Sequence, residues 1–337
     1  MSVYRCTVCK FRYDEWLGDT KNGVMPGTPF SRLAGSVCTT CGMQGSGRHE
    51  ILGESKYQGV EASYYDQFAG KAGIAFYRNW VLQSGQPASV LELGVGTGRI
   101  AVELARHGIS VVGVDWSEEM LRLAEKKKRH FLKEKEDLLE LREGDARELD
   151  LGRTFTHVLL PEGIFQQAVT RQMQRSFLQT IGRHLQEEGF VAIDILLPPA
   201  GESWSLLRRK HVFPDRMVYQ RVEGETSLLR QMFRYTLTYE TFLEHVEQPR
   251  YRVEREMALL LPGELSLLLE SEGFSVMTLH EQYPRTEPAD VAGAEVAVEG
   301  YDADRWQHGG YPFACDASSG SGASRYTLIA KKVCSML

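Results

Sequence analysis

The sequence has no long apolar run, no excess of basic charge and no apolar segment close behind Met1. The first absence rules out a membrane-spanning helix, which needs about 20 consecutive apolar residues. The second, a formal net charge of −6, removes the positive footprint that drives binding to phosphate backbones, so no nucleic-acid partner is expected. The third removes the mark of a secretory leader, and a cytoplasmic protein is expected. Cysteine is sparse: of six, four form two C-x-x-C pairs, Cys6/Cys9 and Cys38/Cys41, leaving Cys315 and Cys334 over. In a reducing compartment such pairs favour a metal over disulfides. The remaining composition, 42% hydrophobic in 337 residues, is enough to fill the cores of more than one domain.

The chain is organised around Val90-Leu91-Glu92-Leu93-Gly94-Val95-Gly96-Thr97-Gly98-Arg99-Ile100. An apolar run closes on an acidic residue and three alternating glycines, and a helical pattern follows. This reads as strand, tight loop and helix start, where glycine lets the backbone approach a ligand and take positive φ. The dinucleotide pattern G-x-G-x-x-G is not met, because Arg99 stands where its third glycine belongs. A second apolar strand, 109–114, ends in Asp115, placed where a carboxylate accepts both hydroxyls of a ribose. A third short stretch leads to Gly144-Asp145-Ala146. Through Glu92-Leu93-Gly94-Val95-Gly96-Thr97-Gly98, Val114-Asp115-Trp116-Ser117-Glu118-Glu119-Met120-Leu121 and Glu143-Gly144-Asp145-Ala146, the chain closely resembles the class I S-adenosylmethionine-dependent methyltransferases. The resemblance implies that Glu92 and the loop of Gly94, Gly96 and Gly98 hold the methionine portion of that cofactor, and Asp115 its ribose. Trp116, Asp145 and Ala146 would hold the adenine, with Met120 and Pro161 also at the cofactor.

Cys6-Thr7-Val8-Cys9 and Cys38-Thr39-Thr40-Cys41 are knuckles that each offer two thiolates, and four thiolates make a tetrahedral site suited to zinc or iron. Between them run Tyr13-Asp14, Gly18-Asp19, Gly23, Pro26-Gly27-Thr28, Phe30 and Leu33. In this order of motifs residues 2–44 resemble a rubredoxin. The resemblance implies one iron in a one-electron couple, tuned by its thiolates and by nearby N–H groups, with a structural zinc as the alternative. Tyr4, Phe11, Tyr13, Trp16 and Phe30 are expected to form a small aromatic core. A domain of this size draws much of its folding free energy from the metal. Lys10 stands where the family has glycine and Thr39 where it has proline; 33–37 is one residue short and lacks the usual tryptophan.

Residues 1–45 are therefore read as the metal domain, 46–59 as a glycine-rich linker and 60–337 as the methyltransferase domain. An amphipathic stretch, 62–83, gives one or two helices; in similar enzymes its Tyr65-Asp66 folds over the cofactor, while aromatic residues at this spacing also serve simply as core. Strands are expected over 89–93, 110–114, 139–143, 156–160 and 190–195, and helices over 98–107, 117–136 and 171–187. Such alternation gives a mostly parallel sheet with ligands at its carboxyl ends. Lys126-Lys127-Lys128-Arg129 is expected to form a solvated charged face. Pro198-Pro199 opens an antiparallel insertion, about 198–260, with strands at 216–221, 227–239 and 251–260, where Arg230, Arg234 and Tyr235 are candidates to line an acceptor pocket. A helix from Pro262 and two closing strands, 274–280 and 325–332, follow, with a mobile loop expected over 283–324.

The expected fold class is thus α/β: a small rubredoxin-like metal domain, then a Rossmann-like doubly wound methyltransferase domain with an antiparallel β insertion. The activity implied is methyl transfer to a small-molecule acceptor, with alignment of nucleophile, methyl and sulfur as the main work of the enzyme. Glu162 and Tyr65 are the candidate catalytic residues. For Glu162 both a base beside an apolar pocket and a loop carboxylate remain open. A redox partner protein is implied by the rubredoxin half. Two further readings stay open: an electron carrier or redox sensor whose second half only docks, and a methyltransferase with a zinc module. The acceptor and the oligomeric state are not legible.

Overall fold

A computed structural model describes residues 3–15, 17–33, 37–44, 49–52, 57–71, 73–84, 87–281 and 324–333. Trp16, Cys334 and the 283–323 part of the expected loop, with His308, Tyr311 and Cys315, lie outside the described residues. The chain forms two compact units. One comprises Met1–Tyr64, Ser203–Glu225 and Arg234–Arg255, the other Tyr65–Glu202, Thr226–Phe233 and Glu256–Leu337.

In the first unit, β1 (Val3–Cys6) and β2 (Arg12–Asp14) make a hairpin with Tyr4 opposite Tyr13. Within the glycine-rich 46–59 stretch, β3 (His49–Leu52) pairs antiparallel with β1, Cys6 opposite His49. On its other side β3 runs parallel to β13 (Arg250–Ala258), Tyr251 opposite Ile51. Beyond β13 come β11 (Met232–Leu243), β10 (Arg216–Ser227) and β9 (Ser203–Val212), and the short β12 (Val246–Glu247) pairs with β11. The metal-domain hairpin and the insertion therefore share one sheet, which leaves no free strand edge between them.

Two details of the insertion differ from the expected pattern. Residues 203–212 are a strand, although Arg208-Arg209-Lys210-His211 hides its apolar signal. Residues 228–231 are a turn: Gln231 takes a φ of 52°, and Leu228 and Leu229 are 76% and 97% exposed. Two leucines at a hairpin tip imitate the start of a strand.

The second unit holds β4 (Ser89–Leu93), β5 (Ser110–Asp115), β6 (Leu139–Glu143), β7 (Phe155–Leu160), β8 (Leu185–Leu197), β14 (Phe274–Glu281) and β15 (Ser324–Lys332). Their order is β14-β15-β8-β7-β4-β5-β6, parallel from β8 to β6, with β15 antiparallel to both its neighbours. The central strands are continuous apolar runs because both faces are covered. On one face Tyr77 and Val81 of α2 (Ile74–Gln83) and Ile100 and Leu104 of α3 (Arg99–Arg106) meet Val90 and Val111. On the other, Phe177 and Ile181 of α5 (Arg171–His184) and Leu265 and Leu269 of α6 (Pro262–Ser271) meet Leu91, Leu93 and Ile193. Each such leucine, taken fully out of water, contributes about 1.5–3 kcal/mol.

Before α2 lies α1 (Val60–Ala69), and after β5 comes α4 (Glu118–Leu132), capped by the Ser117 hydroxyl, which accepts the Met120 N–H at 3.2 Å. The helix read over 117–136 stops at Leu132, and a tighter 3-10 stretch, Lys133–Leu138, carries the chain to β6. The helix read over 171–187 stops at His184, because Leu185 already pairs with Phe155. Among the described residues no helix is long and apolar enough to cross a membrane.

Candidate functional site

The Sγ atoms of Cys6, Cys9, Cys38 and Cys41 all lie within 4.8 Å of one another. Cys6 and Cys41 are 3.8 Å apart, Cys9 and Cys38 3.6 Å. A metal–sulfur bond of about 2.3 Å sets the edge of a sulfur tetrahedron at about 3.8 Å, so these two edges match it and the four donors converge on room for one ion. The knuckles close alike. The N–H groups of Cys6 and Lys10 donate to Phe11 O (2.9 Å) and Cys6 O (3.0 Å); those of Cys38 and Gly42 donate to Met43 O (2.9 Å) and Cys38 O (2.8 Å). Lys10 and Gly42 occupy equivalent left-handed positions, φ 61° and 69°.

Burial pushes the Cys38 thiol up to about 12. At Cys6 burial also acts upward, but hydrogen bonds from the Cys9 and Val8 backbone outweigh it and bring the thiol down to about 7. Such hydrogen bonds favour the thiolate that a metal needs. Beneath the knuckles Tyr4 stacks on Phe30 at 4.2 Å, and the Tyr13 hydroxyl donates to Thr28 O at 2.6 Å. Thr39, in the usual proline position, donates its hydroxyl to Asp19 at 2.5 Å and so ties the second knuckle to the 19–24 turn.

The second site gathers at the carboxyl ends of β4, β5 and β7, where ligands of open α/β sheets bind. Gly94, Gly96 and Gly98 have φ of 75°, 54° and 77°. A Cβ on Gly94 would stand 2.4 Å from Ile164, whereas one on Gly96 would meet only Met120 Cε at 3.6 Å. The Asp115 carboxylate accepts the N–H of Gly96 (2.8 Å) and of Ser117 (2.9 Å), which fixes it against the loop. Glu92 is 2% exposed; burial pushes its carboxyl up to about 8 against the opposing pull of Arg99, and its Oε2 has no hydrogen-bond partner among the described residues. A buried carboxylate oxygen left open beside a glycine loop suits a ligand with hydrogens to give, so the cradle fits the methionine end of the cofactor.

Trp116 follows Asp115 half-buried, and Met120 is 2% exposed. Asp145 is engaged by Arg147, whose Nε lies 2.8 and 3.1 Å from its two oxygens, and these hydrogen bonds hold its carboxyl below the usual range. Ala146 packs against the α5/α6 core, and Pro161 is buried at the end of β7.

After Pro161, Glu162 and Gly163 both take positive φ, 57° and 75°. The Glu162 N–H donates to Asp194 Oδ2 at 3.1 Å, and the Thr327 hydroxyl donates to Asp194 Oδ1 at 2.6 Å. Glu162 Oε1 faces two guanidiniums, Arg99 at 3.4 Å and Arg325 at 3.5 Å, while its Oε2 is buried with no hydrogen-bond partner among the described residues. Arg99 also donates to Gly70 O at 2.8 Å and sits 5.8 Å over the Tyr65 ring. Next to Tyr65, Asp66 accepts the Thr97 hydroxyl at 2.6 Å and meets Lys127 Nζ at 2.6 Å.

Glu162 and Tyr65 thus both meet Arg99. Lys127 departs from the solvated face expected of its basic run: four consecutive helical positions span most of a turn, so Lys127 and Lys128 are half-buried while Lys126 and Arg129 are exposed. Arg325, Asp194 and Lys127 were not legible as site residues; Asp66 was named only with Tyr65 in the segment expected to fold over the cofactor, and Arg99 only as the residue standing in place of a glycine. Arg234 is exposed and Tyr235 is buried, on opposite faces of β11, and Arg230 is exposed.

Comparison with known proteins finds a family match over the stretch of chain that carries each site. A methyltransferase-domain family model matches residues 90–189, and a rubredoxin family model matches residues 3–47. The methyltransferase candidate YqeM of Bacillus subtilis is 26% identical over 250 residues, 69% of this chain and 92% of its own length. The high molecular weight rubredoxin of Moorella thermoacetica is 45% identical over 40 residues, 12% of this chain and 18% of its own. Among solved structures, the sugar N-methyltransferase KedS8 of a Streptoalloteichus species superposes with a TM-score of 0.59 at 18% identity, covering 83% of this chain and 95% of that one, a likeness of fold.

Proposed function

We propose that this chain, a rubredoxin domain joined to a class I S-adenosylmethionine-dependent methyltransferase domain, methylates a small molecule that carries a nucleophilic amine. The observation that carries the reading is the convergence of buried Glu92, three left-handed glycines and a backbone-anchored Asp115 at adjacent strand ends. When bound, the cofactor supplies a sulfonium methyl open to in-line displacement. Glu92 and the glycine loop would hold its amino-acid end and Asp115 its ribose; Trp116, Met120, Asp145, Ala146 and Pro161 would enclose the adenine side. The work of the chain is to hold donor and acceptor in line and to keep water out.

Tyr65 is read as an acceptor-side residue. Glu162, shared between two guanidiniums, is read as a positioning carboxylate rather than a base. The amine class is supported by the Streptoalloteichus neighbour, a sugar N-methyltransferase by name, and by the absence of an Asn/Asp-Pro-Pro-Tyr type sequence that amide and adenine acceptors call for. At the four cysteines we place iron, with a redox protein as partner and the cytoplasm as location; the rubredoxin family match over residues 3–47 supports iron over a merely structural zinc.

The test is calorimetric titration with S-adenosylmethionine of protein whose metal content and visible spectrum are recorded on the same sample. Tight binding with an iron–thiolate spectrum is expected, and Asp115→Ala should weaken it by about 10- to 100-fold, the cost of a lost hydrogen bond to a charged group. Absence of binding with iron present would replace this reading by that of an electron carrier.

A further inference from the structure

Thr97 stands between Gly96 and Gly98 in the glycine loop and is 1% exposed. Its hydroxyl donates to Asp66 Oδ1 at 2.6 Å, while Lys127 Nζ donates to Thr97 Oγ1 at 2.8 Å and lies 2.6 Å from Asp66 Oδ2. An ammonium has hydrogens to give and no lone pair, so the direction of each bond in this ring is fixed: Lys127 serves both partners, and Thr97 passes its own hydrogen to Asp66. The three groups come from three segments, α1, the loop and α4. Met120, Ala124 and Lys127 recur at i, i+4 and i+7, one face of α4, and that face meets the loop. A Cβ on Gly96 would stand 3.6 Å from Met120 Cε, and one on Gly98 3.2 Å from Ala124 Cβ. The end of α1 is tied to the same loop a second time, since Arg99 donates to Gly70 O at 2.8 Å. Burial pulls the Lys127 ammonium below the ordinary lysine range; the Asp66 charge opposes this and that of Arg99 adds to it. Desolvation offsets much of what such a pair contributes to stability, and what it does provide is a fixed geometry between three segments.

We propose that Lys127 is a positioning residue for methyl transfer, clasping Asp66 and Thr97 so that the glycine loop and the end of α1 keep the relative placement the donor requires. The inference rests on the functional reading above and gives the basic run of α4 a part in it. Gly96 and Gly98 leave the loop backbone free to take other conformations unless something holds it. Thr97 is the side chain between them, so a clasp at its hydroxyl restrains both. The clasp holds only while the ammonium keeps its proton. The charged groups that act on it are Asp66 from α1 and Arg99 from the start of α3. Donor affinity therefore falls as pH rises through the Lys127 titration, below the range where a free lysine loses its proton. A guanidinium in the same place stays charged and removes that fall.

S-adenosylhomocysteine, the demethylated form of the donor, is titrated calorimetrically across a range of pH into the full-length protein. The same is done for its Lys127→Met, Lys127→Arg and Asp66→Asn forms and for the double form Lys127→Met with Asp66→Asn. Lys127→Met is expected to weaken binding about tenfold at neutral pH, the worth of a hydrogen bond to a charged group. As pH rises it should lose only what the ligand's own amine imposes on every form. Lys127→Arg should keep most of the affinity and carry it to higher pH. Because the lysine acts through the aspartate, the double form should bind no more weakly than the weaker single one. Additive losses would overturn the role, as would an alkaline fall that is the same with lysine, arginine and methionine. Unchanged affinity in Lys127→Met with lower urea stability would reduce the lysine to a structural part and overturn it too. Hydrogen exchange without ligand separates this proposal from the reading it rests on. Lys127→Met should speed exchange at the N–H groups of Gly98 and Gly70, which donate to Val95 O and Asp66 O. Faster exchange there, with no S-adenosylhomocysteine bound by the unaltered protein, would support the clasp and overturn the methyltransferase reading; unchanged exchange would overturn the clasp.

Discussion

Both candidate sites are built on left-handed turns, and they differ in what holds those turns in place. At the four cysteines the turns hang on strands of three and four residues, and Cys6, Tyr13, Phe30 and Cys38 are the hydrophobic side chains buried there among the described residues. At the glycine loop the turns sit between β4 and α3, with Val90, Leu91, Leu93, Ile100 and Leu104 at most 2% exposed. One site depends on its ligand for order; the other has its order before the ligand arrives. The contrast bears on where each half of the molecule stores its stability, and three experiments sharpen it.

The largest effect is expected from metal removal. A structural thiolate site contributes an apparent 10–16 kcal/mol, which a hairpin of this size does not replace. Stripping the metal, or Cys9→Ser, should abolish hydrogen-exchange protection at the N–H groups of Cys6, Lys10, Cys38 and Gly42. Protection in β4, β5 and β7 should stay near its holo level, since that sheet has its own two cores. If protection in those central strands fell in parallel, the two sites would share one cooperative unit and the comparison would fail.

A middle-sized effect separates two glycines of the same loop. Gly94→Ala adds a Cβ that overlaps Ile164 at 2.4 Å on top of an unfavourable φ, whereas Gly96→Ala meets only the end of the flexible Met120 side chain. Overpacking costs about 1–3 kcal/mol and a side chain at positive φ about 1–2 kcal/mol. Urea unfolding should therefore show Gly94→Ala destabilised by about 2–5 kcal/mol and Gly96→Ala by about 1–2 kcal/mol. Equal losses would mean that the Glu162–Ile164 turn gives way freely.

These features also mark what can be read from a sequence. The loop and the knuckles were legible because their conformations are set locally: alternating glycines at a strand end and cysteines two apart leave little choice. That the central strands run parallel followed from apolar runs spaced by helices, whereas their order did not. Arg325 and Asp194 were not legible, because their partners are fixed by which strands become neighbours in the folded sheet, and no local pattern records that. β3 was hidden for the same reason: His49–Leu52 is a short polar-flanked segment that becomes a strand by lying between β1 and β13. Lys127 was misread because charge alone was weighed, while the aspartate and threonine that draw it inward lie on α1 and on the glycine loop.

The smallest effect lies within the metal domain and turns the comparison onto its two knuckles. They share every closing hydrogen bond, yet one bends at Lys10 and the other at Gly42. An L-residue in the left-handed region costs roughly 1–2 kcal/mol, and returning to glycine restores about 0.4–1 kcal/mol of unfolded-chain entropy against the gain. Lys10→Gly also gives up the exposed hydrogen bond from Lys10 Nζ to Thr7 O at 2.9 Å. The net expectation is a gain of about 0.5–1 kcal/mol, and Gly42→Ala should lose about 1 kcal/mol at the matching position. Both are measured as the shift in chelator concentration that half-strips the zinc-loaded protein: upward for Lys10→Gly, downward for Gly42→Ala. A downward shift for Lys10→Gly would show that the lysine side chain, through its reach to Thr7, stabilises the first knuckle more than its backbone strain weakens it.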